Sequence, residues 1–231
     1  GLNNLAVLLH ANGRYAEAEP LDREALDIRR AALPPGHPDI ATSLNNLAGL
    51  LEATDRYAEA EPLYREALDL RRAALPPGHR DIASSLNNLA NLLEATGRYA
   101  EAEPLYREAL DLQRAALAPG DPDIARGLNN LAVLLHANGR YAEAEPLYRE
   151  ALNLRCTALP AGHPAIASSL NNLASLFEAT GRYAEAEPLY REALDLQRAA
   201  LPPGHPNIAT SLHNLAILLW QMHRFSDSES A

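Results

Sequence analysis

The residue types able to do chemistry in this chain recur at fixed intervals rather than gathering at one place. Asparagine pairs stand at Asn45 and Asn46, Asn87 and Asn88, Asn129 and Asn130, and Asn171 and Asn172, with Asn3 and Asn4 ahead of them and Asn214 behind. A carboxamide carries two N–H donors and a carbonyl acceptor, so a row of them can pair with the backbone of an extended peptide whatever its sequence. The second asparagine of each pair serves equally well to bond a neighbouring helix and fix the geometry of the fold, and both roles stay open. Beyond each pair Glu52, Glu94, His136, Glu178 and Trp220 fill one recurring place, with His10 in the first copy. The three carboxylates set a local negative potential that suits basic or hydrogen-bonding side chains. Arg71 and Arg155 recur with Arg29 and alternate with Gln113 and Gln197. A guanidinium fork there would either clamp a ligand carboxylate or pair with an acidic residue of the next repeat.

Catalytic and metal chemistry find little to work with. His37, His79, His163 and His205 recur, but equivalent positions on stacked helices lie ~8 to 10 Å apart. That is too far for two imidazoles to share a zinc at ~2.1 Å each, so a capping or turn-packing role is expected and no metal site. Cys156 stands where other copies have Arg30, Arg72, Arg114 and Arg198, an outward position without a nearby base. No glycine-rich phosphate loop, nucleophile elbow or isolated carboxylate pair is present. The expectation is a protein that is not an enzyme and takes no cofactor.

The elements that position these residues follow from the period. Leu-Asn-Asn-Leu-Ala begins at Leu2, Leu44, Leu86, Leu128 and Leu170 and returns as Leu-His-Asn-Leu-Ala at Leu212, a spacing of 42 residues each time. Such a period signals a solenoid. Leu44, Leu47, Ala48 and Leu51 recur at i, i+3, i+4 and i+7 and predict an amphipathic helix A. Tyr57, Ala60, Tyr64, Ala67, Leu68 and Leu75 give the matching stripe of a helix B. Gly13, Gly97, Gly139 and Gly181, with Asp55 in their place once, should end helix A in the left-handed region. Leu75-Pro76-Pro77-Gly78 should end helix B, and Pro38 should open the next helix A, with Asp121 as an N-cap in the fourth copy. Pro62 predicts a loose or bent start to helix B.

A lone hairpin leaves half its apolar stripe exposed, so five complete 42-residue periods and a partial sixth are expected to stack as one all-α, superhelical solenoid of antiparallel helix pairs over residues 1–231. Because Gly1 to Leu9 already lies within a repeat, the sequence reads as a piece of a longer protein. The tail from Phe225 to Ala231 lacks the alanines and second tyrosine of a helix B, and residues 224–231 should be the fastest to exchange their amide hydrogens.

Hydrophobic residues make up 47% of the chain and charged ones 22%, enough for a packed core and too apolar for disorder. The net charge is −10, with every basic residue an arginine, so nucleic acid is an unfavoured partner. No apolar run approaches the roughly 20 residues that cross a bilayer. The reading is a cytoplasmic protein with no membrane partner.

Leu44, Leu47, Ala48, Leu51, Tyr57, Ala60, Tyr64 and Ala67 match the tetratricopeptide pattern. The 42-residue period, Asn-Asn-Leu-Ala and Ala-Glu-Pro-Leu-Tyr-Arg-Glu-Ala-Leu resemble the kinesin-light-chain type of that repeat. The resemblance implies that the asparagine stripe lines a concave face which binds a protein or peptide segment. Two further roles remain: self-assembly into a homo-oligomer through uncapped terminal repeats, or service as the sensor arm of a larger signalling enzyme.

Overall fold

The structure, a computed structural model, describes residues 8–10 and 12–229, with side chains to residue 223. Residues 8–10 are helical. The helices that follow are α1 (Tyr15–Ala32), α2 (Pro38–Ala53), α3 (Tyr57–Ala74), α4 (Arg80–Ala95), α5 (Tyr99–Ala116), α6 (Pro122–Ala137), α7 (Tyr141–Ala158), α8 (Pro164–Ala179), α9 (Tyr183–Ala200) and α10 (Pro206–Glu229). The even-numbered helices carry the A pattern and the odd-numbered ones the B pattern.

Two compact units divide the chain, Gly1–Ala116 and Leu117–Ala231. In the first, α1 packs on α2, α2 on α3, α3 on α4 and α4 on α5, and α2 also meets α4. In the second, α6 packs on α7, α7 on α8, α8 on α9 and α9 on α10, and A-type α8 meets both α6 and α10. Within each unit, each helix therefore packs on its sequence neighbours, and each A helix also lies beside the next A helix.

Close approach of A and B follows from the alanines. Ala60, Ala67, Ala102, Ala109, Ala144, Ala151, Ala186 and Ala193 are fully enclosed, and Tyr64, Tyr106, Tyr148 and Tyr190 fill the space beside them. The predicted A stripe is buried, and Leu50, Leu92, Leu134 and Leu176 are buried as well. A helix covered from two sides buries more than a single stripe.

The recurring histidines cap the A helices. Nδ1 of His37, His79, His163 and His205 accepts from the backbone N–H two residues on, at 3.1 to 3.2 Å, and Asp121 Oδ1 does the same at 2.9 Å. Pro38, Pro122 and Pro164 follow at the first helical turn, where a missing N–H costs nothing. In the turn that follows helix α2, Asp55 adopts φ 59°, the one non-glycine positive φ among the described residues, and its carboxylate accepts from Tyr57 at 2.9 Å. Helix α3 runs through Pro62 without interruption. Helix α10 continues from the A pattern to Glu229, so the sixth copy has no separate B helix among the described residues. The side chains of residues 224–231, on which the rapid-exchange expectation falls, lie outside the described residues.

Ion pairs stitch the outer face of each unit. Arg30 meets Glu66 and Arg72 meets Glu108, each at 2.7 Å across one repeat. Arg56 holds Glu19 of the preceding repeat and Glu59 of its own, and Arg98 treats Glu61 and Glu101 in the same way. Cys156 occupies the place of Arg30 and Arg72, and the carboxylate across from it, Glu192, pushes its thiol up after burial has done so. The replacement Cys156→Arg should supply the missing stitch. We expect it to raise unfolding stability by about 0.2 to 1 kcal/mol, read as a denaturant midpoint that shifts at low salt and returns towards wild type at high salt.

Candidate functional site: the A-helix face

The asparagines form a braced ladder. Asn45 Nδ2 donates to its own helix at Ala41 O (3.0 Å) and to Ser85 Oγ of the next repeat (3.3 Å), and Asn171 Nδ2 donates to Ser211 Oγ (2.8 Å). The second asparagine reaches back: Asn88 Nδ2 donates to Asn45 Oδ1 at 3.5 Å and Asn172 Nδ2 to Asn129 Oδ1 at 2.9 Å. The first asparagine thus braces adjacent A helices and also holds the amide of the second. Asn87, nearly enclosed, bonds Ala83 O at 3.0 Å. Asn46, Asn130 and Asn214 are half-buried beside them. Asn4 lies outside the described residues.

Geometry fixing and an open acceptor coexist at the second asparagine. In Asn88 and Asn172 the NH₂ is used within the fold, while Oδ1 has no hydrogen-bond partner among the described residues and is not sealed off. A bonded NH₂ fixes the amide plane, so the carbonyl is pre-aimed and loses little rotamer freedom on meeting a donor.

Glu52, Glu94 and Glu178 share one arrangement. Oε2 of each accepts from the tyrosine of the facing B helix: Tyr64 at 2.7 Å, Tyr106 at 2.7 Å and Tyr190 at 2.9 Å. Burial pushes the Glu52 and Glu94 carboxyls above the usual carboxylate range, and the phenol hydrogen bond pulls them partly back. The first copy replaces this pair with His10 and Asp22, 2.9 Å apart, with Asp22 2% exposed. In the fourth copy His136 lies edge-on to Tyr141 and Tyr148, and burial depresses its imidazole. Trp220, 59% exposed, ends this column.

Arg71 and Arg155, placed by their spacing either to clamp a ligand carboxylate or to pair with an acidic residue of the next repeat, turn towards the following A helix. Arg71 is 8% exposed, and its Nη1 donates to Asp81 O and Ser85 Oγ, both at 2.9 Å. Arg155 Nη1 donates to Ala165 O at 3.0 Å and Ser169 Oγ at 2.7 Å, and Arg29 binds Asp39 O and Ser43 Oγ in the same way. These guanidiniums tie a B helix to the start of the following A helix through neutral oxygens. The repeat-to-repeat carboxylate pairing is made instead by outer-face arginines, Arg30, Arg56, Arg72 and Arg98 among them.

Sequence reading missed the serines that join these two networks. Ser43, Ser85, Ser169 and Ser211 are all buried, and Ser85 accepts from both Asn45 and Arg71. Their signal was a serine immediately before four of the six repeating Leu-Asn-Asn or Leu-His-Asn motifs, an odd residue for a core stripe.

Paired helices, fixed alanines and tyrosines, and a polar A-helix face define an interaction repeat. The chain belongs to the tetratricopeptide repeat family, whose model matches residues 1–73, 81–157 and 165–231. None of the curated proteins matches it. Among solved structures it resembles a Podosopora anserina putative kinesin light chain with nearly identical TPR-like repeats, at 26% identity, covering 85% of this chain and 93% of that one with a TM-score of 0.73. BtubC (BKLC) from P. vanneervenii shares the fold at 23% identity, covering 95% and 87% of the two chains with a TM-score of 0.76. YrrB, a TPR protein with an unusual peptide-binding site, shares it at 20% identity, covering 91% and 88% with a TM-score of 0.54. The repeats are thus of the kinesin-light-chain-like kind.

Proposed function

We propose that this protein is an interaction scaffold that holds an extended peptide segment of a partner along its A-helix face. Tetratricopeptide repeats are in general protein-interaction modules. The observation that carries the finer reading is the pair of braced carboxamides, Asn88 and Asn172, whose Oδ1 atoms stay open while their NH₂ groups are fixed from the preceding repeat. Asn46, Asn130 and Asn214 continue the row, and Glu52, Glu94 and Glu178 lie beside it. A backbone N–H of the ligand meets an open carbonyl within a unit, and the carboxylates beside it favour basic neighbours along the segment. Arg71 and Arg155 contribute only through the scaffold that holds the row.

The test is a titration with a ten-residue peptide selected on the wild-type protein from a random library. Each lost backbone pair is worth about 0.5 to 1.5 kcal/mol, so Asn130→Ala with Asn172→Ala should weaken binding roughly fivefold to a hundredfold with helical circular dichroism retained. Unchanged affinity in the folded double variant would move the site off this face.

A second reading, self-assembly, is favoured by α10. Leu212 and Leu219 are 41% and 37% exposed there, whereas their counterparts Leu44, Leu51, Leu86 and Leu93 are enclosed. A second copy stacking on α10 would cover them, and would show as a light-scattering mass that rises with concentration and falls on Leu219→Ser.

A further inference from the structure

Within the unit Leu117–Ala231 a cleft of about 280 Å³ opens between α8 and α10, lined by Ser168, Asn171, Asn172, Ser175, Gln197, Asn207, Thr210 and Asn214. Every lining residue is a neutral hydroxyl or carboxamide, in a chain where 22% of residues are charged. Gln197, from the last turns of α9, forms the floor. It is 4% exposed, and its Oε1 has no hydrogen-bond partner. Asn171 Oδ1 is also buried and unpartnered.

The repeats themselves show why the cleft exists. Position 197 is equivalent to Arg29, Arg71 and Arg155, where a guanidinium crosses to the next A helix. There it donates to the backbone oxygen of Asp39, Asp81 or Ala165 and to Ser43, Ser85 or Ser169. Gln197 is too short to do so and leaves the corresponding oxygens, those of Asn207 and Ser211, without that donor. Several donors around the cleft are committed within the fold: Ser168 and Thr210 donate back to Pro164 O and Pro206 O, and one hydrogen each of Asn171 Nδ2 and Asn172 Nδ2 goes to Ser211 and Asn129. The two buried acceptors left without a donor, Gln197 Oε1 and Asn171 Oδ1, lie beside the C-terminal end of α9, whose carbonyl dipoles favour a cation. Arg155, half-buried and donating to Ala165 O and Ser169 Oγ, shows that this fold accepts a guanidinium in such a place without a carboxylate partner.

We propose that this cleft is an arginine-selective subsite: the guanidinium of an arginine in the bound segment enters from the A-helix face and completes the hydrogen bonds that Gln197 leaves unmade. The proposal deepens the peptide-binding reading and rests on it for the source of the arginine. Five N–H donors in a planar fork match several acceptors at once, whereas an ammonium offers three at a point and a citrulline side chain has the shape without the charge.

The probes are the N-acetyl methylamides of arginine, lysine and citrulline, titrated into isotopically labelled protein while the side-chain amide resonances of Asn171, Gln197 and Asn214 are followed. The arginine probe should shift them saturably, about tenfold more tightly than either other probe, and Gln197→Arg should abolish the shifts by filling the cleft from within. Equal response to the lysine probe, absence of saturable shifts, or persistence of the shifts in the folded Gln197→Arg variant would overturn the subsite. A selected peptide that binds the A-helix face but is indifferent to arginine-to-citrulline replacement also removes the subsite and leaves the groove reading standing. A cleft filled by the arginine probe in a protein that selects no peptide removes the groove reading and supports the subsite.

Discussion

Replacing Tyr106 with alanine should cost about 3 to 5 kcal/mol of stability, because it empties the space between enclosed alanines that cannot move in to fill it. Tyr106 is 1% exposed, and Ala102 and Ala109 on the same helix are fully enclosed. Its hydroxyl donates to Glu94 at 2.7 Å and bonds Asn91, and burial holds the phenol far above its ordinary range. Removal therefore leaves a cavity and also a half-buried carboxylate without its donor. Tyr106→Phe separates the two effects and should cost only about 0.5 to 1.5 kcal/mol. Urea midpoints of the two variants measure the difference; an alanine variant as stable as the phenylalanine one would show that the alanine-lined interface closes over the gap.

Arg71→Ala should destabilise the protein by about 2 to 4 kcal/mol, from two hydrogen bonds of a charged donor and the buried aliphatic stem. Asp81 O loses its guanidinium partner, and Ser85 Oγ keeps only the longer contact from Asn45 at 3.3 Å. Binding of a selected peptide, measured below the unfolding transition, should change little. The carboxylate-clamp expectation makes the opposite forecast, lost affinity at undiminished stability, so denaturation and titration of one variant decide between them.

The contrast between these two residues shows what the sequence could carry. Tyr106 belongs to a stripe with helical spacing, and the A and B helices, the glycine stops and the histidine caps were all legible because each depends on neighbours a few residues away. The partner of Arg71 lies 10 to 14 residues on, across a loop and on another helix. Spacing placed the guanidinium beside the core and left its direction undetermined. The same holds for the asparagines: their types announced hydrogen bonding, but only the packing of one A helix on the next shows that Asn45 braces Ser85 and leaves Asn88 with a fixed amide and an open carbonyl. Leu50 was missed for a related reason, since a second covering helix widens the buried face beyond the stripe that one hairpin requires. The cleft at Gln197 had a trace in the sequence, the alternation of arginine and glutamine at that place, which becomes informative once the arginine of the other copies is seen to span the gap.

The most direct test of the central claim is to follow the side-chain amide resonances of the wild-type protein as a library-selected peptide is added. The account predicts that Asn130 and Asn172 shift together and saturate with the peptide, while the side-chain resonances of Arg30 and Arg72 on the outer face stay in place. Shifts confined to the outer-face arginines, with the two asparagines unmoved at saturation, would contradict it.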